Sequence, residues 1–146
     1  MDDKDANEAL RALKAVQGRF AMRARWPWQR HAAFGAVMGG LVASYALPPA
    51  GSMVGILLCS LAMAAIVVRD RRRDGFFING YRAGRTRRVT GVLLLVALVT
   101  LAAAMLGKEQ GWWWAPLAAG AFLFVFATRA SMAWERVYRE ELGVGQ

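Results

Sequence analysis

Uncharged apolar residues and charged residues occupy separate blocks of this chain. Residues 31–68, 89–107 and 110–128 contain no Asp, Glu, Lys or Arg. Since about 20 residues of helix cross the hydrocarbon of a bilayer, blocks of this length predict membrane spans. The first block has 38 residues, too many for one span. Its middle holds Pro48-Pro49-Ala50-Gly51-Ser52, which is a turn signal and divides the block into two helices.

Four helices follow from these blocks. A short polar turn, residues 107–111, separates the last two spans, and Pro116 falls in the first turn of the fourth, where a missing N–H costs least. A lone strand would leave its backbone unpaired in lipid, so each span is helical. The fold class is therefore an all-α integral membrane protein with four transmembrane helices in two hairpins. The predicted spans are 31–47, 52–68, 89–106 and 112–128.

The segment before the first span predicts an amphipathic helix. Its apolar stripe comprises Leu10, Leu13, Val16, Phe20 and Ala24, at spacings of three and four residues. We expect this helix to lie in the interface of the inner leaflet, as basic amphipathic helices do. Docking of a partner protein along the same stripe is the alternative.

The distribution of basic residues predicts the orientation. On the predicted topology, 18 of the 19 Lys and Arg residues lie on one side, and Lys108 is alone on the other. The positive-inside rule then places both termini in the cytoplasm of a multi-pass protein of the plasma or inner membrane. The predicted parts are the cytoplasmic N-terminal helix 1–28, the first hairpin 29–68, a cytoplasmic Arg-rich loop 69–88, the second hairpin 89–130 and the cytoplasmic tail 131–146.

The composition narrows the class of protein. Apolar residues make up 57% of the chain, charged residues 20%, and mean hydropathy is +0.29. These values exclude an ordinary soluble enzyme and a disordered chain. The net charge of +9 does not indicate nucleic-acid binding, because no nucleic-acid recognition motif accompanies it. The preference for Arg over Lys and the Ala, Gly and Val content suggest a bacterial source.

The predicted spans offer little chemistry. All ten carboxylates lie outside them, whereas proton relays and ion pathways usually carry an ionisable group in the membrane. His31, the only His, sits at the edge of the first span, where we expect an interfacial, hydrogen-bonded role. A metal site would need further ligands beside it. The sequence thus predicts no catalytic residue, no cofactor and no metal, and a protein that is not an enzyme.

The Arg-rich loop is the first candidate for binding. Arginine offers a planar fork for phosphate oxygens, so the loop is predicted to contact anionic headgroups or an acidic partner. Its arginines would equally serve topology alone. Around Asn79-Gly80, a two-residue turn signal, we expect a small interfacial hairpin. The predicted contact residues are Arg69, Arg71, Arg72, Arg73, Arg82, Arg85, Arg87 and Arg88.

Small residues predict where helices approach closely. In the first span Gly35 and Gly39 form GxxxG, and Ala36 and Gly40 continue a parallel ridge; Gly51 and Gly55 repeat the spacing in the second. Such ridges favour either oligomerisation or packing within the hairpin. An aromatic belt at both interfaces is also predicted. Its residues are Trp26, Trp28 and Trp134 on the inner side and Trp112, Trp113 and Trp114 on the outer side.

Two functions remain open. The first is a non-enzymatic membrane subunit or accessory protein, either a homo-oligomer or part of a larger complex. It would assemble through the small-residue faces and present the Arg-rich loop to anionic membrane lipids or a protein partner. The alternative is a small oligomeric transporter or channel.

Overall fold

The chain folds into helices throughout its described length. The computed structural model describes residues 7–8, 11–12, 26–74 and 85–141, and within these ranges there is no strand. The all-helical prediction is therefore confirmed. The four long helices are α1 (Trp28–Ala43), which continues into a 3-10 turn at Ser44–Ala46, α2 (Pro49–Asp74), α3 (Arg85–Glu109) and α4 (Ala115–Glu141).

Three of these helices are long and apolar enough to cross a membrane, within the described part of the chain. They are Pro49–Arg72, Arg85–Glu109 and Ala115–Glu141, and they correspond to the second, third and fourth predicted spans. Helix α1 has 16 residues and is shorter than the other three. The amphipathic helix predicted before Trp26 lies outside the described residues except at 7–8 and 11–12, which are helical. The Asn79-Gly80 turn also lies outside them.

Several helices run beyond the predicted spans. Helix α2 continues through the arginines after Val68 to Asp74, and α3 already begins at Arg85. Both ends of the predicted loop 69–88 are thus helical. Arginine is a good helix former, and no Gly or Pro interrupts these segments. Helix α4 likewise continues to Glu141, but it begins at Ala115, after the three tryptophans.

The two ends of the bundle differ in composition. One end holds the start of α1 and α3 and the finish of α2 and α4, and we call it the basic end because Arg69, Arg88 and Arg129 lie there. The other holds Leu47-Pro48 and residues 110–114, and we call it the turn end. At the turn end Gly111 adopts a φ of +85°, which glycine accommodates without a side-chain clash.

Helix α4 is the centre of the packing. It lies between α1 and α3, while α2 packs mainly on α1. The buried core combines Val42 of α1, Ala104 of α3 and Leu123 of α4. Helices α1 and α4 run in opposite directions, so His31 lies opposite Ser131 at the basic end and Gly39 opposite Gly120 further along.

The backbones of α1 and α4 touch where both carry glycine. A Cβ added to Gly39 would lie 2.5 Å from the Gly120 carbonyl oxygen, and one added to Gly120 would lie 2.7 Å from the Gly39 oxygen and 2.8 Å from Ala43 Cβ. Gly35 meets the Phe124 carbonyl oxygen in the same way, at 2.6 Å. These contacts require residues without a side chain, because no real Cβ tolerates such distances.

Helix α2 is the least covered element. None of the residues in its most apolar 18-residue window is buried. Its large side chains are exposed along its length, among them Met53, Val54, Leu57, Leu58 and Leu61. An apolar surface of this extent is typical of a helix that faces lipid or another protein.

Candidate functional site

A buried polar cluster joins α1 and α4 at the basic end. His31 is only 3% exposed, Ser131 8% and Glu135 7%. Ser131 and Glu135 lie one turn apart on α4, on the stripe that also buries Gly120, Leu123 and Ala127. His31 occupies the first turns of α1 on the face that buries Gly35 and Gly39. The helix pairing that brings the glycines together therefore also brings these three polar side chains together.

Both imidazole nitrogens of His31 have partners on α4. Nδ1 lies 2.9 Å from Ser131 Oγ, and Nε2 lies 2.9 Å from Glu135 Oε2. The tautomer with its hydrogen on Nε2 would donate to the carboxylate and accept the Ser131 hydroxyl hydrogen at Nδ1. Buried polar groups cost free energy unless they are hydrogen bonded, so each member of the cluster stabilises the others.

Glu135 has further partners around its carboxylate. The Trp26 backbone N–H donates to Oε2 at 3.4 Å, and Arg139 Nε forms an ion pair with Oε1 at 3.6 Å. The Arg139 Nε is buried and makes no hydrogen bond, so its stabilisation is mainly electrostatic.

Arg30 connects three helices at the edge of the cluster. Its guanidinium donates to Asp70 Oδ2 of α2, with Nη2 at 2.7 Å and Nε at 3.1 Å. Its Nη1 donates to Ser131 Oγ of α4 at 3.3 Å. The guanidinium carbon also lies 3.5 Å from the ring centroid of Trp26, a cation–π contact. Arg30 thus fixes α2 and α4 relative to α1.

Aromatic rings cover the cluster. Trp26 stacks on Trp134 with centroids 6.1 Å apart, and Trp134 stacks on Tyr138 at 5.2 Å. The Trp26 ring also lies 6.3 Å from the His31 ring, centroid to centroid, so the stack borders the buried cluster. A cavity of about 230 Å³ lies beside the rings, with Arg30, Ser131 and Thr90 as its polar lining and Phe34 and Leu93 as part of its apolar lining.

The chain of hydrogen bonds Ser131–His31–Glu135 has the residue order of Ser–His–acid hydrolases, but the imidazole nitrogens are exchanged, since in those enzymes the serine bonds Nε2 and the acid bonds Nδ1. In those enzymes the serine oxygen is free to attack a carbonyl group. Here Ser131 Oγ already accepts a hydrogen from Arg30 and is buried between two helices. The arrangement therefore suits hydrogen bonds that hold α1 and α4 together better than it suits a nucleophile. Among the described residues, no group of three His, Cys, Asp or Glu side chains could hold a metal ion.

The predicted lipid-contact arginines are divided by the structure. Arg69, Arg71 and Arg72 are exposed at the end of α2, where Arg73 also lies. Arg85, Arg87 and Arg88 are exposed at the start of α3, and Arg82 lies outside the described residues. Arg85 pairs with Glu140 at 3.4 Å, and its backbone N–H donates to Glu141.

The predicted packing residues lie at several different contacts. Gly35 and Gly39 face α4. This contact lies neither within their own hairpin nor between two copies of the chain. Gly40 faces Cys59 of α2, whose Sγ would lie 3.0 Å from an added Cβ. Gly55 faces Ser44, and Gly51 faces Leu47 at 3.2 Å. Ala36 is exposed.

The predicted belt residues lie at both ends. Trp112, Trp113 and Trp114 are exposed at the turn end, where Trp112 and Trp114 stack with centroids 6.0 Å apart. Trp28 is exposed at the basic end. Trp26 and Trp134 are half-buried and stack beside the buried cluster, a role the belt did not predict. At the turn end Lys108 Nζ donates to the Tyr45 carbonyl oxygen and, at 3.1 Å, to that of Leu47.

Sequence reasoning missed the place of Glu135. Its position after the fourth span placed it in the predicted cytoplasmic tail, for which no contact with another helix was predicted. The available signal was the spacing of Gly120, Leu123, Ala127, Ser131 and Glu135, which continues one helical face past the span. His31 is hydrogen bonded as expected, but it is buried against α4 as well.

Comparison with known proteins adds no relative. No family model, curated protein or solved structure matches this chain.

Proposed function

We propose that this protein is a non-enzymatic subunit or accessory protein of a bacterial inner membrane. Its basic end would face the cytoplasm and present arginines to anionic lipid or to a protein partner. The observation that carries this proposal is the arrangement of charged side chains at the basic end, where some are paired and others are exposed. Inward-facing polar side chains pair with one another, as in the Arg30–Asp70 ion pair and the His31–Glu135 contact, while most arginines at the ends of α2 and α3 are exposed.

Four membrane-crossing helices are part of the proposal. Helix α1 and its 3-10 turn together cover residues 28–46, a length of about 30 Å, which matches the hydrocarbon thickness. The antiparallel pairing of α1 with α4 supports this, since His31 and Ser131 then lie at the same depth. Both termini would be cytoplasmic, as the distribution of basic residues indicates.

Assembly with other subunits is supported by α2. Its apolar surface is exposed along its length, and lipid or a neighbouring subunit would cover it. Gly35 and Gly39, by contrast, are already occupied by α4. An oligomer of this chain, or a larger complex containing it, would therefore form through a surface other than the GxxxG face.

The orientation can be tested with single cysteines. In a Cys59→Ser background, Gln110→Cys marks the turn end and Arg87→Cys the basic end; both positions are exposed. We expect a membrane-impermeant maleimide to label Gln110→Cys in intact cells and Arg87→Cys only after the membrane is opened. The reverse pattern would contradict the orientation and, with it, the cytoplasmic role of the arginines.

The binding role can be tested by native mass spectrometry of the protein extracted in a mild detergent. Changing Arg71, Arg72, Arg73, Arg85, Arg87 and Arg88 to Gln should remove most of the retained anionic phospholipid or the associated partner mass. Lys108→Gln, at the opposite end, is the control and should retain both. Substrate-specific flux through proteoliposomes containing the purified protein alone would overturn the proposal in favour of a transporter.

A further inference from the structure

An open groove runs between α3 and α4 near the basic end, on a surface separate from the buried cluster. Its volume is about 390 Å³. Arg88 of α3 and Arg129 of α4 line it together with the apolar side chains of Val89, Val92 and Phe126. Two cationic side chains from neighbouring helices thus border one apolar groove.

Among the described residues, no carboxylate pairs with either of these two arginines. Within the described residues, the ion pairs involve Arg30, His31, Arg85 and Arg139, and neither Arg88 nor Arg129 has such a partner. Both side chains are exposed. The groove therefore offers two uncompensated guanidinium groups to an anion.

The groove is cationic toward the basic end and apolar toward the turn end. Val92 follows Arg88 by four residues and Phe126 precedes Arg129 by three, so each arginine shares a helix face with an apolar residue one turn nearer the turn end. Arg88 directly precedes the uncharged stretch 89–107, and Arg129 directly follows the stretch 110–128. In a membrane, the two guanidinium groups would lie at headgroup depth and the apolar walls at the depth of the acyl chains.

We propose that this groove binds one anionic phospholipid molecule. Its phosphate lies between Arg88 and Arg129, and one acyl chain lies along Val92 and Phe126. Guanidinium groups bind phosphate oxygens through paired N–H donors, which suits this position. The inference rests on the proposed function, since it requires these helices to cross a bilayer with the basic end at an anionic leaflet.

The test is a titration of the purified full-length protein with dioleoyl phosphatidylglycerol, read out as the first bound lipid in native mass spectrometry. We expect Arg88→Gln and Arg129→Gln each to weaken the first binding step about fivefold, and the double variant about 25-fold. The matched control is Arg136→Gln, which removes an exposed arginine of α4 that neither lines the groove nor belongs to the predicted contact residues. It should change the step by less than about twofold.

A second variant tests the part of the groove assigned to the acyl chain, independently of the arginines. Val92→Trp keeps both arginines and fills the groove, and it should also weaken the first step several-fold. Soluble glycerophosphoglycerol should not displace the lipid, because it lacks an acyl chain. Displacement by this headgroup alone would overturn the lipid assignment in favour of a simple anion site.

Three further results would overturn the proposal. One is a first binding step in the double variant equal to that of Arg136→Gln. Another is equal affinity for dioleoyl phosphatidylcholine. The third is a lipid-free dimer that the double variant loses, which would identify the occupant as a second copy. The broader proposed function fails separately, if a variant that keeps Arg88 and Arg129 and changes Arg71, Arg72, Arg73, Arg85 and Arg87 to Gln retains as much anionic lipid and partner mass as the wild type.

Discussion

The two sides of α4 at the basic end differ in whether their charged side chains are paired. Toward α1, Glu135 is buried and paired with His31 and Arg139, and Ser131 bonds Arg30, which Asp70 neutralises. Toward α3, Arg129 lies in an open groove with Arg88, and neither has an ion-pair partner among the described residues. The first side stabilises the fold and the second leaves its charge available. Substitutions on the two sides should therefore separate stability from binding.

Removal of the buried carboxylate should have the largest effect on stability. Glu135→Ala leaves His31 Nε2 and Arg139 without their partner, so we expect the free energy of unfolding to fall by about 3 kcal/mol. Reversible unfolding in mixed micelles measures it. Glu140→Ala, which breaks only the exposed pair with Arg85, is the control, with an expected loss below about 0.5 kcal/mol.

The double variant His31→Leu with Glu135→Leu sharpens this result. Apolar replacement of both members of a buried pair is often tolerated, so the double variant should be more stable than Glu135→Ala. Equal losses in Glu135→Ala and Glu140→Ala would show that the cluster does not stabilise the α1–α4 contact.

The second largest effect should come from the glycine contact beside the cluster. Gly39→Ala places a methyl group against the Gly120 carbonyl oxygen, and overpacking of this kind costs about 2 kcal/mol. Gly91→Ala is the matched control, since an added Cβ there meets nothing within 4 Å. It should leave stability unchanged or raise it slightly. If both variants unfold at the same temperature, the close approach of α1 and α4 is wrong.

A smaller loss of stability is expected from the contact between Arg30 of α1 and Asp70 of α2. Asp70→Asn removes the carboxylate from Arg30, and a partly buried charge-assisted contact of this kind is worth about 1 kcal/mol. The loss should be accompanied by faster proteolysis within residues 69–84, because α2 has few other contacts. Glu109→Gln, at the turn end, provides the comparison and should match the wild type in both measurements.

The smallest effect on stability should come from the open side. Arg88→Gln and Arg129→Gln remove exposed charges, so each should change the free energy of unfolding by less than about 0.5 kcal/mol in detergent. The same variants should show the large loss of bound phospholipid proposed above. A stability loss comparable to that of Glu135→Ala would mean that these arginines act within the fold.

Much of the fold could be predicted from the block pattern alone. In lipid, a single long uncharged stretch can satisfy its backbone hydrogen bonds only as a helix. This reasoning identified α2, α3 and α4 in order. The ends were less predictable, because arginines both stop a membrane span and continue a helix. Helix α2 therefore runs to Asp74 although its uncharged part ends at Val68.

The candidate site was largely beyond sequence reasoning. His31 and Glu135 are 104 positions apart, and nothing local to either residue indicates the other. Their pairing depends on which helices pack together, and the GxxxG face of α1 could equally have served its own hairpin or a second copy. Once α1 packs on α4, the spacing of Gly120, Leu123, Ala127 and Ser131 places Glu135 on the same face.

The position of α4 at the centre of the packing has a consequence for biosynthesis. His31 of α1 finds both of its side-chain partners in α4, the last described helix to leave the ribosome, whereas Arg30 already has Asp70 of α2. Until α4 packs, His31 must be hydrogen bonded by other groups such as water. A chain truncated before residue 131 would leave His31 without either partner and would be an early target for quality-control proteases.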